Sequence, residues 1–491
     1  MALAIREWAT LFARLLASPT TMRRALFVGL AAALVLGAGC ASRPINEPIA
    51  KVDPAHGYRT ELRLASRPNS DPRTLVVLAF SGGGTRAAAL SYGVLEELRR
   101  TEVTVDGRRR RLLDEVDLIS GVSGGSFTAL SYALYGERLF DEYENRFLKR
   151  DVQGALIART FNPLNWPKLV GGSYGRSELA SDYYDEVLFE GATFGSLLDK
   201  PTPMVIVTGT DISTGARLVF AQSDFDVLRT DLRKVPLARA AAASSAVPIV
   251  LSPVTFNNYG GTCGYQYMDL LAELLKPGHR SRPAGRALMR YRELQDFERS
   301  GERPFIHLVD GGVSDNLGLR GVLEGLEVVE ASPAFRQVAG LRRLARIVVI
   351  VVNARSAPRT DWDRSELPPG IVAQLSQTAN VPIDRNSYEL VQLLKDMAER
   401  WDSQRELTVA RQRLAGATEA EARTRIGQVG VFTIDVSFEA LADPAERDFF
   451  MNLPTTFALP PETIDRLRAV AGRLLRESPD YQQLLEDFRR P

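Results

Sequence analysis

A serine framed by glycines is the clearest candidate for chemistry in this chain. Ser123 lies in the sequence Gly-Val-Ser-Gly-Gly, between Gly121 and Gly124, and an apolar stretch, residues 116–119, precedes it. A Gly-x-Ser-x-Gly motif at a strand-to-helix turn is typical of a nucleophile elbow, where glycines permit a tight turn and a close approach to the backbone. An ordinary glycine-rich turn before a helix is the alternative. The catalytic interpretation therefore depends on partners elsewhere in the chain.

A run of three glycines upstream predicts a cradle of backbone amides. Residues 75–80 have the composition of a buried strand, glycines occupy positions 82–84, and residues 87–100 have the apolar spacing of an amphipathic helix. The free N–H groups at such a helix N-terminus bind a phosphate or a developing oxyanion. No Gly-Lys-Ser/Thr follows, and Ala87 stands where a dinucleotide fingerprint has its third glycine. With a nucleophile candidate in the next strand-helix unit, an oxyanion hole is the better interpretation.

An acid at the end of a third apolar strand is the candidate base. Residues 304–309 are mostly apolar and are followed by Asp310 and two glycines. An acid at the carboxyl end of a strand projects into the crevice where α/β sheets hold their sites, although a simple Asp-Gly turn is the alternative.

Histidines do not supply the base that Ser123 would need. The chain contains three, which are His56, His279 and His307. His307 is three residues before Asp310, so we expect it on the opposite face of the sheet as an interior histidine. Without a histidine, Asp310 would take the serine proton directly, provided that burial raises its pKa. The sequence thus predicts a Ser–Asp dyad.

These three segments, in this order, resemble the patatin-like phospholipases and the related catalytic domain of the cytosolic phospholipases. In that family Gly-Gly-Gly-x-Arg forms the oxyanion hole, Gly-x-Ser-x-Gly carries the nucleophile, and Asp-Gly-Gly or Asp-Gly-Ala supplies the base. The resemblance implies the same roles for the matching residues here, which are Gly82, Gly83, Gly84 and Arg86 in the first motif, Ser123 in the second and Asp310 in the third. Ser81 and Ala87 differ from plant patatins and are closer to the cytosolic phospholipase variant.

The resemblance extends over residues 74–485. It includes a stretch of small residues, 240–248, which in the family is a helix ending near the site, and residues 453–457, which are similar to the tail of bacterial members. Alternating apolar strands and helices from residue 74 onward predict the same fold class, a mostly parallel sheet flanked by helices in three layers. We predict strands at residues 75–80, 116–120, 203–210, 305–310, 347–353 and 431–438, and C-terminal helices around 366–413 and 463–488.

Three further residues are candidate supports for the site. Arg86 either orients the glycine loop or meets a lipid phosphate, and a surface arginine on a first helical turn is the alternative. Asn316 is expected to brace the Asp310 loop, and Gly124 to give the backbone room beside Ser123.

The N-terminus has the pattern of an export signal. Met22 and two arginines precede an apolar run, residues 25–39, which at fifteen residues is short for a membrane span. Cys40 follows Gly-Ala-Gly and resembles the lipidated cysteine of a bacterial lipoprotein; plain secretion and an uncleaved anchor are the alternatives. We predict a signal region over residues 1–39 with the true start at Met22, a tether over 40–73, and a lipoprotein anchored to a membrane of the bacterial cell envelope, on its periplasmic or outer-membrane face.

Composition excludes several classes of partner. The 61 Lys and Arg residues balance 60 Asp and Glu residues, so a nucleic-acid interface has no support. The arginine run at 108–111 is interpreted as a solvated hairpin tip, and contact with anionic lipid headgroups is the alternative. Cys40 and Cys263 are the only cysteines, which predicts neither a disulfide nor a metal site, and no cofactor is expected.

We therefore predict one acyl hydrolase domain over residues 74–488. It has insertions near 143–198, either a lid or a peripheral helical layer, and near 259–303. The expected activity is that of a phospholipase or lysophospholipase that cleaves membrane phospholipid or another lipid ester through an acyl-enzyme. An esterase or thioesterase on soluble substrates and a lipid-binding protein without turnover are the alternatives. The complete Ser, Asp and Gly set favours an enzyme.

Overall fold

The computed structural model describes residues 42–66, 71–170, 172–248, 250–262, 285–331, 333–358, 360, 362–419, 421–422 and 430–489. The proposed signal region, Cys40, Cys263 and His279 lie outside the described residues, so lipidation and export stay predictions. Within the described ranges, no helix combines the length and the apolarity that a membrane crossing requires.

The described residues form ten strands. They are β1 (Thr74–Phe80), β2 (Glu102–Val105), β3 (Arg108–Arg111), β4 (Val116–Gly121), β5 (Met204–Asp211), β6 (Arg217–Val219), β7 (Val254–Asn257), β8 (Phe305–Asp310), β9 (Arg346–Asn353) and β10 (Gly430–Ser437). Strands β2 and β3 form a separate hairpin, and the other eight form the central sheet in the order β10-β9-β1-β4-β5-β8-β7, with β6 paired to β5. Strands β10, β9, β1, β4 and β5 are parallel to one another, whereas β6 and β8 run antiparallel to β5.

Helices surround this sheet. They are α1 (Thr60–Ala65), α2 (Gly84–Arg100), α3 (Gly124–Tyr135), α4 (Leu139–Tyr143), α5 (Val152–Phe161), α6 (Trp166–Val170), α7 (Arg176–Tyr184), α8 (Gln222–Val227), α9 (Leu237–Ser244), α10 (Gly285–Phe297), α11 (Gly312–Asp315), α12 (Leu319–Ala331), α13 (Pro333–Val338), α14 (Ile371–Leu414), α15 (Pro444–Met451), α16 (Pro461–Glu477) and α17 (Pro479–Arg489).

The central strands are buried along their whole length, because helices cover the sheet. Every residue of β1 and of β4 is buried, as the continuous apolar runs in the sequence predict. Helix α16 packs so closely on α2 that a Cβ at Gly93 would lie 2.8 Å from the Cα of Arg468. This architecture confirms the predicted α/β fold with a mostly parallel sheet flanked by helices.

Several local expectations are wrong in detail. The four arginines of β3 form the returning strand of a hairpin whose tip is Asp106-Gly107, because a positive φ at both residues makes the turn there. The predicted helix over residues 463–488 is divided at Ser478, since Pro479 disfavours helical backbone at the residue before it. His307 is exposed instead of interior, and its Nδ1 lies 2.9 Å from the Thr255 hydroxyl.

Candidate active site

The turn between β4 and α3 holds Ser123 in an unusual backbone conformation. Its φ is +47° and its ψ is −119°, a backbone region that residues other than glycine rarely adopt. The Ser123 amide donates to the Ser244 hydroxyl at 2.9 Å, and the Ser123 carbonyl accepts from the amide and hydroxyl of Ser126 at 3.0 and 2.6 Å. These contacts fix both sides of the residue, so the strained turn presents the serine side chain above the end of β4.

Gly124 and Gly125 let two chain segments touch beside the serine. A Cβ at Gly124 would overlap the carbonyl oxygen of Gly84. A Cβ at Gly125 would lie 2.7 Å from the carbonyl oxygens of Phe80 and Ser81. The start of α3 therefore lies directly against the glycine loop that follows β1, and a larger residue at position 124 would separate them.

Ser123 and Asp310 meet, although 187 positions separate them. The Ser123 Oγ donates to the Asp310 Oδ2 at 2.9 Å, while the Asp310 Oδ1 accepts from the Gly312 amide at 2.7 Å. Burial raises the pKa of Asp310 to about 6, and the hydrogen bonds from Gly312 and Ser123 limit the rise. The site thus contains a buried carboxyl that touches a serine hydroxyl and whose pKa is raised above its ordinary value.

Strand register explains this contact. Gly121 of β4 pairs with Val207 of β5, and Gly209, two residues further along β5, pairs with Asp310 of β8. Ser123 is two residues beyond Gly121, which places it level with Asp310. Because β8 is antiparallel to β5, Asp310 reaches the site from a strand that runs opposite to the parallel strands of the sheet.

The three glycines of the first motif have different surroundings. The Gly82 amide donates to the backbone carbonyl of Asn316 at 2.8 Å, so it is not free for a substrate. Gly83 and Gly84, with φ of +139° and +60°, begin α2, and among the residues described their amides have no acceptor. The next amide, of Thr85, donates to the Thr456 carbonyl at 2.8 Å. Gly83 and Gly84 are therefore the candidate oxyanion donors.

Arg86 is buried beneath a C-terminal segment, residues 453–457, that we call the C-terminal clasp. Its Nε donates to the Ala354 carbonyl at 2.8 Å, its Nη1 to the Leu453 carbonyl at 2.6 Å and its Nη2 to the Thr455 hydroxyl at 3.2 Å. Burial lowers the pKa of Arg86 to about 10. The surface interpretation of Arg86 is therefore wrong, and its bonds to backbone carbonyls fit the loop-orienting interpretation.

Asn316 lies between the glycine loop and the Asp310 loop. Besides its carbonyl contact with Gly82, its side-chain Oδ1 lies close enough that a Cβ at Gly312 would be 2.9 Å from it. A Cβ at Gly82 would overlap the same oxygen and would be 3.3 Å from the Ser123 Cβ. Asn316 thus fills the corner where the two loops meet.

Sequence reasoning missed two residues that hold the site together. Ser244, at the end of α9, contacts Ser123 through its hydroxyl, and its carbonyl accepts from the Gly311 amide at 3.1 Å. Thr210 of β5 donates from its hydroxyl to the Asp310 carbonyl at 2.9 Å. The small-residue stretch 240–248 pointed to the first of these, but no local pattern distinguishes Thr210 from other strand threonines.

Metal ligands are not clustered at the site. Among the residues that the structure describes, no three His, Cys, Asp or Glu side chains come together in a way that would hold a metal ion.

Comparison with known proteins places the chain in a family. A family model described as patatin-like phospholipase matches residues 78–323, half of the sequence. Human GIVD cytosolic phospholipase A2 in complex with methyl gamma-linolenyl fluorophosphonate is a similar structure, with 12% identity, a TM-score of 0.39, and coverage of 88% of this chain and 62% of that chain. The same phospholipase in complex with this inhibitor and terbium chloride has 12% identity and a TM-score of 0.42, with coverage of 92% of this chain and 66% of that chain. VipD from Legionella pneumophila has 11% identity and a TM-score of 0.25, with coverage of 82% of this chain and 67% of that chain.

The chain spans less than two thirds of the length of those two phospholipase A2 chains. No curated protein matches it. Because the family model covers half of the sequence, the chain belongs to the patatin-like phospholipase family.

Proposed function

We propose that this protein is a lipid acyl hydrolase of the phospholipase or lysophospholipase type. Family membership supports a lipid ester as the substrate class. The observation that carries the proposal is the 2.9 Å contact between the Ser123 hydroxyl and the Asp310 carboxylate beside the free amides of Gly83 and Gly84. A nucleophile, a base and an anion-binding cradle in contact are the minimum set for acyl transfer.

In the proposed mechanism, Asp310 acts as the general base. Its carboxylate accepts the proton of the Ser123 hydroxyl as the serine oxygen attacks the ester carbonyl. The amides of Gly83 and Gly84 donate hydrogen bonds to the oxyanion of the tetrahedral intermediate. When the intermediate collapses, the C–O bond to the alcohol breaks and the alcohol leaves with the proton held by Asp310, which gives an acyl-enzyme on Ser123.

Water then completes the cycle. Asp310, again a carboxylate, accepts a proton from water as the water oxygen attacks the acyl carbonyl. Collapse of the second intermediate releases the fatty acid and returns the proton to the Ser123 oxygen. A pKa near 6 suits both transfers, because the carboxylate is present at neutral pH and still binds a proton well enough to deliver it.

A lipophilic fluorophosphonate provides the direct test of the dyad. We expect one molecule to attach covalently to the wild type at Ser123, and Ser123→Ala to lose both the label and the hydrolysis of phospholipid, lysophospholipid and p-nitrophenyl esters. Ser131→Ala is a matched control, since Ser131 lies on α3, the helix that follows Ser123, is buried, and its hydroxyl has no hydrogen-bond partner in the described part of the chain.

Three outcomes would count against the proposal. Labelling or turnover that survives Ser123→Ala would exclude Ser123 as the nucleophile. A folded wild type that takes no label and cleaves no ester would assign the chain to lipid binding without turnover. Turnover of soluble esters or thioesters with no cleavage of any lipid would assign it to soluble substrates.

A further inference from the structure

Residues 157–170 expose an unusual amount of apolar surface, and we call this segment the apolar ridge. Of the twenty large apolar side chains exposed in the described part of the chain, five lie here, and their exposed fractions are 52% for Ile157, 70% for Phe161, 83% for Leu164, 44% for Trp166 and 77% for Val170. Exposed apolar side chains that cluster in this way mark interaction sites.

Helical spacing gathers these side chains on common faces. Ile157 and Phe161 are four residues apart on α5, and Trp166 and Val170 are four residues apart on α6, so each pair lies on one face of its helix. Leu164 occupies the short turn between the two helices. The ridge is thus a pair of apolar helix faces joined by an exposed leucine.

The rest of the segment is firmly attached to the protein. Arg159 forms an ion pair with Glu186 at 2.5 Å and lies over the ring of Tyr183, 4.7 Å from its centroid. The Asn165 side-chain amide donates to the Arg159 carbonyl at 2.8 Å, and the Leu164 amide donates to the Asn162 side chain at 3.0 Å. These contacts hold the ridge in a defined shape with its apolar side chains exposed.

The stretch that precedes the ridge contacts the C-terminal clasp, which borders the glycine loop. At the start of α5, the Gln153 amide donates to the Phe457 carbonyl of the C-terminal clasp at 3.2 Å, and the clasp also accepts from the Thr85 amide beside the glycine loop. On the other side, the Ser177 amide at the start of α7 donates to the Ser252 hydroxyl at 3.1 Å. The stretches that flank the ridge thus contact the C-terminal clasp, which borders the glycine loop, and Ser252.

Exposed valines also occur near the Asp310 loop. Val247 and Val250 are 36% and 66% exposed, and they follow the segment whose Ala246 carbonyl accepts from the Asp310 amide at 3.0 Å. Val313 is 46% exposed and is three residues after Asp310. Apolar side chains thus lie exposed next to the loops that hold the base.

The charge of the segment selects among the possible partners. From residue 152 to residue 177 the sequence contains Arg159, Lys168 and Arg176 but no aspartate or glutamate. Arg159 is paired with Glu186, so the exposed Lys168, two residues after Trp166, carries the positive charge of the ridge itself. Exposed Trp, Phe and Leu side chains accompanied by basic residues only are typical of helices that lie in the interface of a bilayer with anionic headgroups. A protein partner would require no such one-sided charge.

We propose that the apolar ridge docks the enzyme on the surface of an anionic bilayer, with Phe161, Leu164 and Trp166 among the headgroups and the active site facing the lipid. The proposal rests on the proposed function, since it supplies the membrane-bound substrate of that reaction. Docking through the ridge orients the site independently of any attachment through the N-terminal segment.

Trp166 provides a readout of this orientation. The test uses the full chain with Ser123→Ala and vesicles of phosphatidylcholine and phosphatidylglycerol whose acyl chains are brominated near the headgroup. We expect the bromines to quench a fluorescence component that Trp166→Phe removes, and the double variant Phe161→Asp, Leu164→Asp to abolish that quenching. An N-terminal anchor brings all variants to the vesicle alike, so the quenching reports orientation and not attachment.

A matched control lies on α14. Leu407 and Leu414, in the C-terminal part of this helix, are 59% and 90% exposed and do not belong to the ridge. The double variant Leu407→Asp, Leu414→Asp should leave the quenching unchanged. In the active enzyme, the ridge double variant should cleave vesicle phospholipid at least about tenfold more slowly and hydrolyse a dissolved p-nitrophenyl ester at the wild-type rate.

The outcomes separate this proposal from the proposed function. Absence of turnover and label in the wild type would refute the proposed function, while the Trp166 quenching would still report docking. Unquenched Trp166 in vesicle-bound protein would overturn docking through the ridge. A dimer that the ridge double variant dissociates, or Trp166 shielded from iodide without vesicles, would assign the ridge to a second copy or to another segment of the chain, and would also overturn it.

Discussion

Asp310 and Asp435 lie in different parts of the sheet, and burial raises the pKa of each to about 6. Asp310 has the Ser123 hydroxyl at 2.9 Å and the Gly312 amide at 2.7 Å. Asp435, on the edge strand β10, has within the described residues no hydrogen-bond partner for its Oδ1; the charge of Lys395 lowers its pKa and that of Glu439 raises it. A raised pKa therefore reports burial, and only the neighbouring groups distinguish a candidate base from a structural carboxyl.

The largest effect on kcat/KM is expected from replacing Asp310, and the same substitution at Asp435 is its control. Asp310→Asn removes the proton acceptor while keeping the shape of the side chain, and we expect kcat/KM for ester hydrolysis to fall by at least about a thousandfold. Asp435→Asn should leave kcat/KM within about twofold of the wild type, because the charges that act on Asp435 are those of Lys395 and Glu439, which take no part in the proposed reaction. Equal losses of kcat/KM in the two variants would show that replacing either buried carboxyl has the same effect, which would contradict a specific role for Asp310. Full activity in Asp310→Asn would exclude Asp310 as the base.

The glycine loop, residues 82–84, is a second feature that distinguishes the region of Asp310 from the region of Asp435. At Gly84, φ is +60° and a Cβ would overlap the Thr456 carbonyl, so Gly84→Ala must displace a candidate oxyanion donor. We expect kcat to fall about a hundredfold to a thousandfold, the effect of removing one such donor.

Gly325→Ala is the control for this substitution, since a Cβ at Gly325, in α12, meets no atom within 4 Å. It should preserve kcat and leave thermal stability unchanged or slightly higher. A Gly84→Ala variant that folds normally, as judged by circular dichroism, and retains its kcat would remove Gly84 from the oxyanion hole.

The smallest expected effect is on the free energy of unfolding, and it should be the same for both carboxyls. Because the folded-state pKa of each is raised, ionisation in the folded protein is unfavourable, and stability is lost as pH rises from about 4 to about 6. At pH 8, Asp310→Asn and Asp435→Asn should each increase the free energy of unfolding by about 1–3 kcal/mol, and the gain should vanish near pH 4.

Denaturant unfolding at the two pH values measures this gain, and the pH dependence of kcat/KM sharpens the contrast. Activity should fall as pH decreases through about 6 in both the wild type and Asp435→Asn, because protonated Asp310 cannot accept the serine proton. A profile that Asp435→Asn shifts would show that the two regions are coupled.

Short-range patterns predicted the parts of the site that depend on local sequence. The apolar runs of β1 and β4 and the glycines around Ser123 located the glycine loop and the serine turn, since tight turns need particular residues at fixed spacing. The direction of β8 was not predictable in this way, because an apolar strand has the same pattern whether its neighbour is parallel or antiparallel.

Contacts between distant segments explain the remaining differences. The Gly82 amide is taken by Asn316, and Arg86 is paired with Leu453, 367 positions away. No spacing rule connects such residues, so the sequence pointed to three equivalent oxyanion glycines and left the environment of Arg86 open. In the structure the Gly82 amide has an acceptor, whereas among the described residues the amides of Gly83 and Gly84 have none, and Arg86 has three acceptors.

The C-terminal clasp has a consequence for how the protein is made. Its residues follow the family-model match, which ends at residue 323, by more than a hundred positions. A ribosome therefore synthesises the serine turn and the Asp310 loop long before it synthesises the acceptors of Arg86 and Thr85. Until the clasp is synthesised, the glycine loop of the nascent chain lacks these contacts.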